Sequence, residues 1–204
     1  MKKTVLKTVS LLLMFILLCS CAREEFMDLY GFTERFTYTD IDPEDFFTEK
    51  NADGEVSFYC FFEKDNPRIM LKLFCNKENK INEIRIYFPK YDENGNKTAV
   101  TTGDISLFIS LVSSSLIAFT ACSKAEAEDI INQMQLYEKK SYENDGELTK
   151  TKNNYHFIYH SAFLGSEFTI YNTYLKAVPE TLKPESKPMY GDTTRIRTET
   201  VPTK

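Results

Sequence analysis

The spacing of apolar residues changes twice along this chain, and those two changes restrict its fold more than any other feature. Glu55–Glu63 is nearly continuous in aromatic and β-branched residues, Arg68–Asn76 alternates so that Ile69, Leu71, Leu73 and Cys75 share a face, and Ile81–Phe88 brings Ile84, Ile86 and Phe88 together. This two-residue repeat, broken by short loops, predicts three strands in an antiparallel meander. From Ile105 the repeat lengthens: Ile105, Phe108, Ile109, Val112, Leu116 and Phe119 recur at three and four residues, winding onto one face of a helix of about four turns. The small residues Ser113, Ser114 and Ser115 in its middle leave room for another element to approach. Ser123 and Glu126 have the spacing of a capping box, so a second helix starts there with Ala127, Ile130, Ile131, Met134 and Tyr137 as its apolar stripe. Two further strands are expected near Tyr155–Ser161 and Glu167–Tyr174, with Gly165-Ser166 as the hairpin turn between them.

Residues 22–54 are acidic and aromatic, and the spacing of Phe26, Leu29, Tyr30, Phe32 and Phe36 predicts a short opening helix. Asn51-Ala52-Asp53-Gly54 reads as a turn. After Lys176 the pattern fades, and Pro179, Pro184, Pro188 and Pro202 among Lys, Glu and Thr predict a flexible tail over 177–204, with a late edge strand at Thr193–Thr198 as the alternative. The order is therefore α-βββ-αα-ββ. That order predicts one α+β domain over 26–176, an antiparallel sheet of five strands with helices packed on one face.

The N-terminus has a different logic. Lys2, Lys3 and Lys7 precede an unbroken apolar run, Leu11 to Leu18, the order of charge and grease found in export signals. The run is far short of the roughly 20 apolar residues that span a membrane. Leu18-Cys19-Ser20-Cys21 then resembles the lipobox of bacterial lipoproteins: an aliphatic residue, a tolerant position, a small residue and the cysteine that becomes the mature N-terminus. The resemblance covers residues 1–21 alone. It implies a signal peptide over 1–20 cut after Ser20, a diacylglyceryl thioether on Cys21, and residues 21–25 as a short tether. Two acyl chains hold a protein stably at a membrane where one does not. The expected location is extracytoplasmic, on a cell membrane, through lipid.

Of the 204 residues, 183 follow Cys21, enough for one domain with a real core. Setting aside the three signal lysines leaves 22 basic against 30 acidic side chains, a formal charge of −8, which disfavours nucleic acid as a partner. The chain has 16 Phe and 12 Tyr but no Trp, which counts against a glycan-stacking platform. Cys60, Cys75 and Cys122 are an odd set that cannot all pair internally. A hairpin turning near Asp65-Asn66 sets Cys60 opposite residue 71 and Cys75 opposite residue 56. That offset is about 13 Å along the strands, while a disulfide needs α-carbons within about 7 Å. Buried thiols are expected, with an oxidised pair as the alternative.

No residue is marked as catalytic, and no cofactor or metal is implied. His156 and His160 would share a face on a helix, but Tyr155, Phe157, Ile158 and Tyr159 read as strand, where the rings start about 13 Å apart. The zinc-protease glutamate is also replaced by Phe157. No nucleophile elbow is present. Asp92, Asn94 and Asn96 alternate as in a calcium loop, but Lys97 and Gly103 stand where Gly and Glu are required. Asp40, Asp42, Glu44 and Asp45 lack that loop's glycine, so both stretches read as solvated turns.

If Phe58, Cys60, Phe62, Ile69, Leu71 and Leu73 face the core, the opposite face of the sheet receives Tyr59, Phe61, Lys72, Phe74, Arg85 and Tyr87. Aromatic with a basic admixture, it is unlike the polar outer face of many one-sided sheets. It is the candidate binding face for an envelope protein, peptide or glycan, unless the N-terminal segment or the tail covers it. The expected function is a non-enzymatic binding or scaffolding role in the cell envelope. The alternatives are an envelope hydrolase with paired carboxylates and a small-ligand carrier with an enclosed apolar cavity.

Overall fold

The computed structural model describes residues 27–62, 69–92 and 95–174. Among these, the strands are β1 (Phe47–Lys50), β2 (Val56–Phe62), β3 (Ile69–Cys75), β4 (Ile81–Pro89), β5 (Gly146–Lys152), β6 (Tyr155–Ser161) and β7 (Gly165–Asn172). The helices are α1 (Leu29–Arg35), α2 (Thr102–Thr120), α3 (Lys124–Gln133) and α4 (Lys139–Glu143), with a 3-10 turn at Pro43–Asp45. Cys21, the segment 1–20, the tether 21–25 and the tail 177–204 lie outside the described residues, as do the Asp65-Asn66 turn and the segment Thr193–Thr198.

The chain is α+β, and its described residues form an antiparallel sheet of seven strands in the order β1-β2-β3-β4-β7-β6-β5. Two meanders, β1 to β4 and β5 to β7, meet where β4 pairs with β7, setting Ile84 opposite Ile170 and Ile86 opposite Phe168. The β2–β3 register pairs Cys60 with Leu71, as the turn position required. Two strands were not foreseen. All four residues of β1 are exposed, so they show no alternation. Strand β5 offers Leu148 as its one large apolar residue and is otherwise Gly, Thr, Lys and Glu. It is folded back by a tight turn in which Asn153 takes φ 54°. The expected turn at Gly165-Ser166 is also displaced: the chain reverses over Phe163 and Leu164, and Gly165 and Ser166 already belong to β7.

Helices pack on one face of the sheet. Phe88 of β4 meets Phe108 of α2 at 5.9 Å and Tyr142 of α4 at 5.7 Å, while Tyr155 of β6 meets Phe119 at 5.4 Å. Phe36, just past α1, contacts Phe62 at 6.1 Å. At the far edge Lys152 of β5 reaches Glu126 of α3 at 2.8 Å. Helix α2 is the centre of this layer, with Phe108, Leu111, Val112 and Leu116 fully buried. By length and composition it could cross a membrane, yet 61% of its apolar window is buried inside the domain, as befits a core helix. Its N-terminus is closed by Thr101 and Asp104. Its serine stretch lets the chain after α1 approach, and Thr37 Oγ1 lies 3.2 Å from Ser114 Oγ.

The capping box of α3 forms as expected: the Glu126 N–H donates to Ser123 Oγ at 3.3 Å, and the Ser123 N–H to the Glu126 carboxylate at 2.9 Å. The stripe stops earlier than its periodicity suggested. Met134 ends the helix, Gln135 turns to φ 55°, and Tyr137 is exposed. Leu136 and Tyr142 fill the core instead, and the Tyr142 hydroxyl donates to the Leu136 carbonyl at 2.7 Å.

Candidate functional site

Strand alternation sends every second side chain to the other face, and the registers align them across the sheet in rows. One row runs Phe47, Tyr59, Lys72, Arg85, Thr169 and Ile158. Beside it run Ser57, Phe74, Glu83, Tyr171 and His156, and on the other flank Phe61, Met70, Tyr87, Glu167 and His160. The six expected residues, Tyr59, Phe61, Lys72, Phe74, Arg85 and Tyr87, therefore share one face. A bulge preserves this arrangement: Phe74 pairs with Glu83 and Cys75 with Ile81, so Asn82 is the extra residue. Without it, Ile81 and Ile84 could not both reach the core.

At the β1 edge the face is aromatic. Phe47, 59% exposed, stacks on Tyr59 at 5.4 Å, and Tyr59 meets Phe61 edge-on at 5.8 Å. Two cations continue the ledge inward. Lys72 Nζ sits 5.8 Å from the Tyr59 ring and 5.2 Å from Phe74, and the Arg85 guanidinium lies 4.9 Å from Phe74, distances at which the ring faces attract positive charge. Lys72 also pairs with Glu49 at 2.5 Å.

The middle of the face holds an ion network. Arg85 pairs through Nε with Glu83 and through Nη1 with Glu167 at 3.9 Å. Glu83 is buried, as are Tyr171 opposite it and Met70 and Tyr87 on the other flank. Burial pushes the Glu167 carboxyl above its ordinary value, against the pull of Arg85, with Glu83 adding to the rise. The Tyr171 phenol is raised by burial and then by Glu83, and among the described residues its hydroxyl is buried without a hydrogen-bond partner. His156 stacks on Tyr171 at 5.1 Å, its Nδ1 lies 2.7 Å from Thr151 Oγ1, and burial lowers its pKa.

Glu83, Glu167, Tyr171 and His156 were not among the expected face residues. Alternation from Arg85 already implied Glu83, whereas the others join only through the pairing of β7 with β4 and β6. The two histidines occupy different rows of β6. Among the described residues no group of three or more His, Cys, Asp or Glu is placed to hold a metal. The two acidic stretches close turns on themselves: Asp92 Oδ1 accepts from the Asn96 N–H at 2.7 Å, and the Asp42 N–H donates to Asp45 at 2.9 Å.

The chain matches no family model, no curated protein and no solved structure. Its functional reading therefore rests on its own chemistry. An aromatic ledge, two cations fixed over ring faces and a short exposed edge strand suit the recognition of an extended segment.

Proposed function

We propose that this protein is a non-enzymatic binding or scaffolding module of the cell envelope, held on a membrane by lipid on Cys21 and engaging a partner protein through the second face of its sheet. The observation that supports the face most directly is the ledge of Phe47, Tyr59 and Phe61, which stays partly exposed on the side of the sheet opposite the helix contacts. Its neighbour β1 is an edge strand, paired with β2 on one side, and an edge of this kind can take an added strand while alternate side chains enter adjoining pockets.

The test has two arms. Replacing Cys21 with Ala should abolish lipid-dependent processing and release the protein from the membrane fraction; unchanged migration and retention would overturn the anchor. A photo-crosslinking residue in place of Phe47, in cells, should give a discrete adduct that the same residue at Tyr30 does not. Tyr30 on α1 is at least as solvent-facing. Equal or absent adducts at both would overturn the face. Exchanging Tyr59 and Phe74 for Ser should remove the adduct with stability retained, whereas clear destabilisation would mark these rings as covered core.

One observation favours the hydrolase alternative: Glu167, raised in pKa, neighbours Glu83, and an acid beside a carboxylate is the arrangement glycoside cleavage requires. Arg85 binds both, which favours the structural reading of the pair. Loss of a measurable hydrolytic activity in both Glu83→Gln and Glu167→Gln would support the enzyme.

A further inference from the structure

Lys90 follows directly on β4, where the strand end carries it under the β6–β7 turn. The residue is buried, and its ammonium donates to Ala162 O at 2.7 Å and Ser161 Oγ at 3.1 Å. An ammonium has three N–H groups, so one remains. Among the described residues no carboxylate reaches it within ion-pair distance, although Asp145 acts on it from further away. Burying a cation without a counter-ion is costly, and burial does lower the pKa of this lysine.

Lys90 lines a cavity of about 600 Å³ between the 97–100 segment, α4 and the Phe163 turn, a volume in the range of small-molecule sites. Of the other charges lining it, Lys139 and Glu143 neutralise each other at 3.6 Å. Among the described residues Lys90, Lys97 and Asp145 remain, a net charge of one positive unit. Val100, Tyr142 and Phe163 supply apolar wall.

We infer that this cavity binds a small organic monoanion, a carboxylate on a compact apolar body, seated on the Lys90 ammonium. The single net positive charge matches a monoanion better than a dianionic phosphate. The rings of Tyr142 and Phe163 match an apolar body better than an inorganic ion. The ligand carboxylate takes the third N–H of Lys90 and supplies the counter-ion that the described residues do not. This site lies apart from the aromatic ledge and stands whether or not that face binds a partner.

The test uses the full chain in lipid nanodiscs and three probes of one shape, benzoate, benzamide and benzylamine, with binding read by saturation-transfer NMR against empty nanodiscs. Benzoate should bind at least ten-fold more tightly than the neutral or cationic probe. Lys90→Met should bring benzoate down to the benzamide level. Because Lys90 also ties down the Ala162 turn, that variant is read only if its melting is cooperative. Ala99→Trp, which fills the cavity from an exposed position and leaves Lys90 intact, should abolish benzoate binding with melting unchanged. Absence of benzoate binding to the native chain, equal binding of the three probes, or full binding to folded Ala99→Trp would each overturn the proposal.

Discussion

The phenol of Tyr87 on β4 lies so close to Gly165 at the start of β7 that a side-chain carbon on that glycine would come within 2.6 Å of the Tyr87 hydroxyl, and equally of the Phe88 carbonyl oxygen. The same hydroxyl donates to the Leu164 carbonyl at 3.1 Å, so the β6–β7 turn is docked onto β4 through this contact. The central pairing of the two meanders begins here, with Gly165 opposite Pro89. Gly165→Ala should therefore cost about 1–3 kcal/mol, the usual penalty of overpacking, read as a lower urea midpoint. Gly146→Ala is the control. Open space surrounds its α-carbon, and the change should be neutral or slightly stabilising.

Gly165 also shows where the sequence ceased to be legible. A glycine followed by serine between two strands has the composition of a turn, and nothing local reveals that the residue is glycine because Tyr87, 78 positions earlier, crowds it. The elements that were legible carry their own signals: the aromatic and β-branched run of β2, the alternation of β3, the three-four repeat of α2, and the Ser123–Glu126 box. Strands β1 and β5 were not legible because they bury little; their hydrogen bonds and cross-strand pairs hold them, and those are tertiary properties. The candidate face was half legible for the same reason. Parity placed Tyr59, Lys72 and Arg85 together, but Glu167 reaches Arg85 only after β7 returns beside β4.

Ala121 ends α2 in the left-handed region at φ 53°, where a side chain costs about 1–2 kcal/mol and glycine costs little. The position is exposed, so no packing is lost on truncation. Ala121→Gly should stabilise the domain by about 0.5–1 kcal/mol, since the added freedom of the unfolded chain offsets part of the relief. Thermal unfolding would show it as a rise in Tm, and a fall would show that Ala121 is not strained.

Cys60 and Cys75 are buried and unpaired among the described residues, and burial holds their thiols at about 12 and about 11. The thiolate is the reactive form, so both should resist a maleimide in the native state. Cys122, half-buried at the α2–α3 link, should be modified first. Mass spectrometry of peptides after timed labelling would give that order, with Cys60 and Cys75 reacting only when urea unfolds the sheet. Early modification of Cys60 would mean that β2 opens locally.

Two glutamates should tilt the pH dependence of stability in opposite directions. Glu126 is held down to about 2, first by Lys152 and then by Ser123. A depressed folded pKa gives stability that is present above the ordinary value of 4.5 and is lost as pH falls toward about 2. Glu167 is raised, first by burial. From pH 4.5 upward to its folded pKa, the native state keeps a proton that the unfolded chain has released, so stability falls as pH rises through that window. Glu167→Gln mimics the protonated carboxyl and leaves Arg85 its closer partner Glu83. The variant should match the parent below pH 4.5 and equal or exceed it at pH 7, with the intervening decline flattened. Urea midpoints measured across that range decide the matter, and a variant weaker than the parent at pH 7 would show that the Arg85–Glu167 pair outweighs the cost of burying the charge.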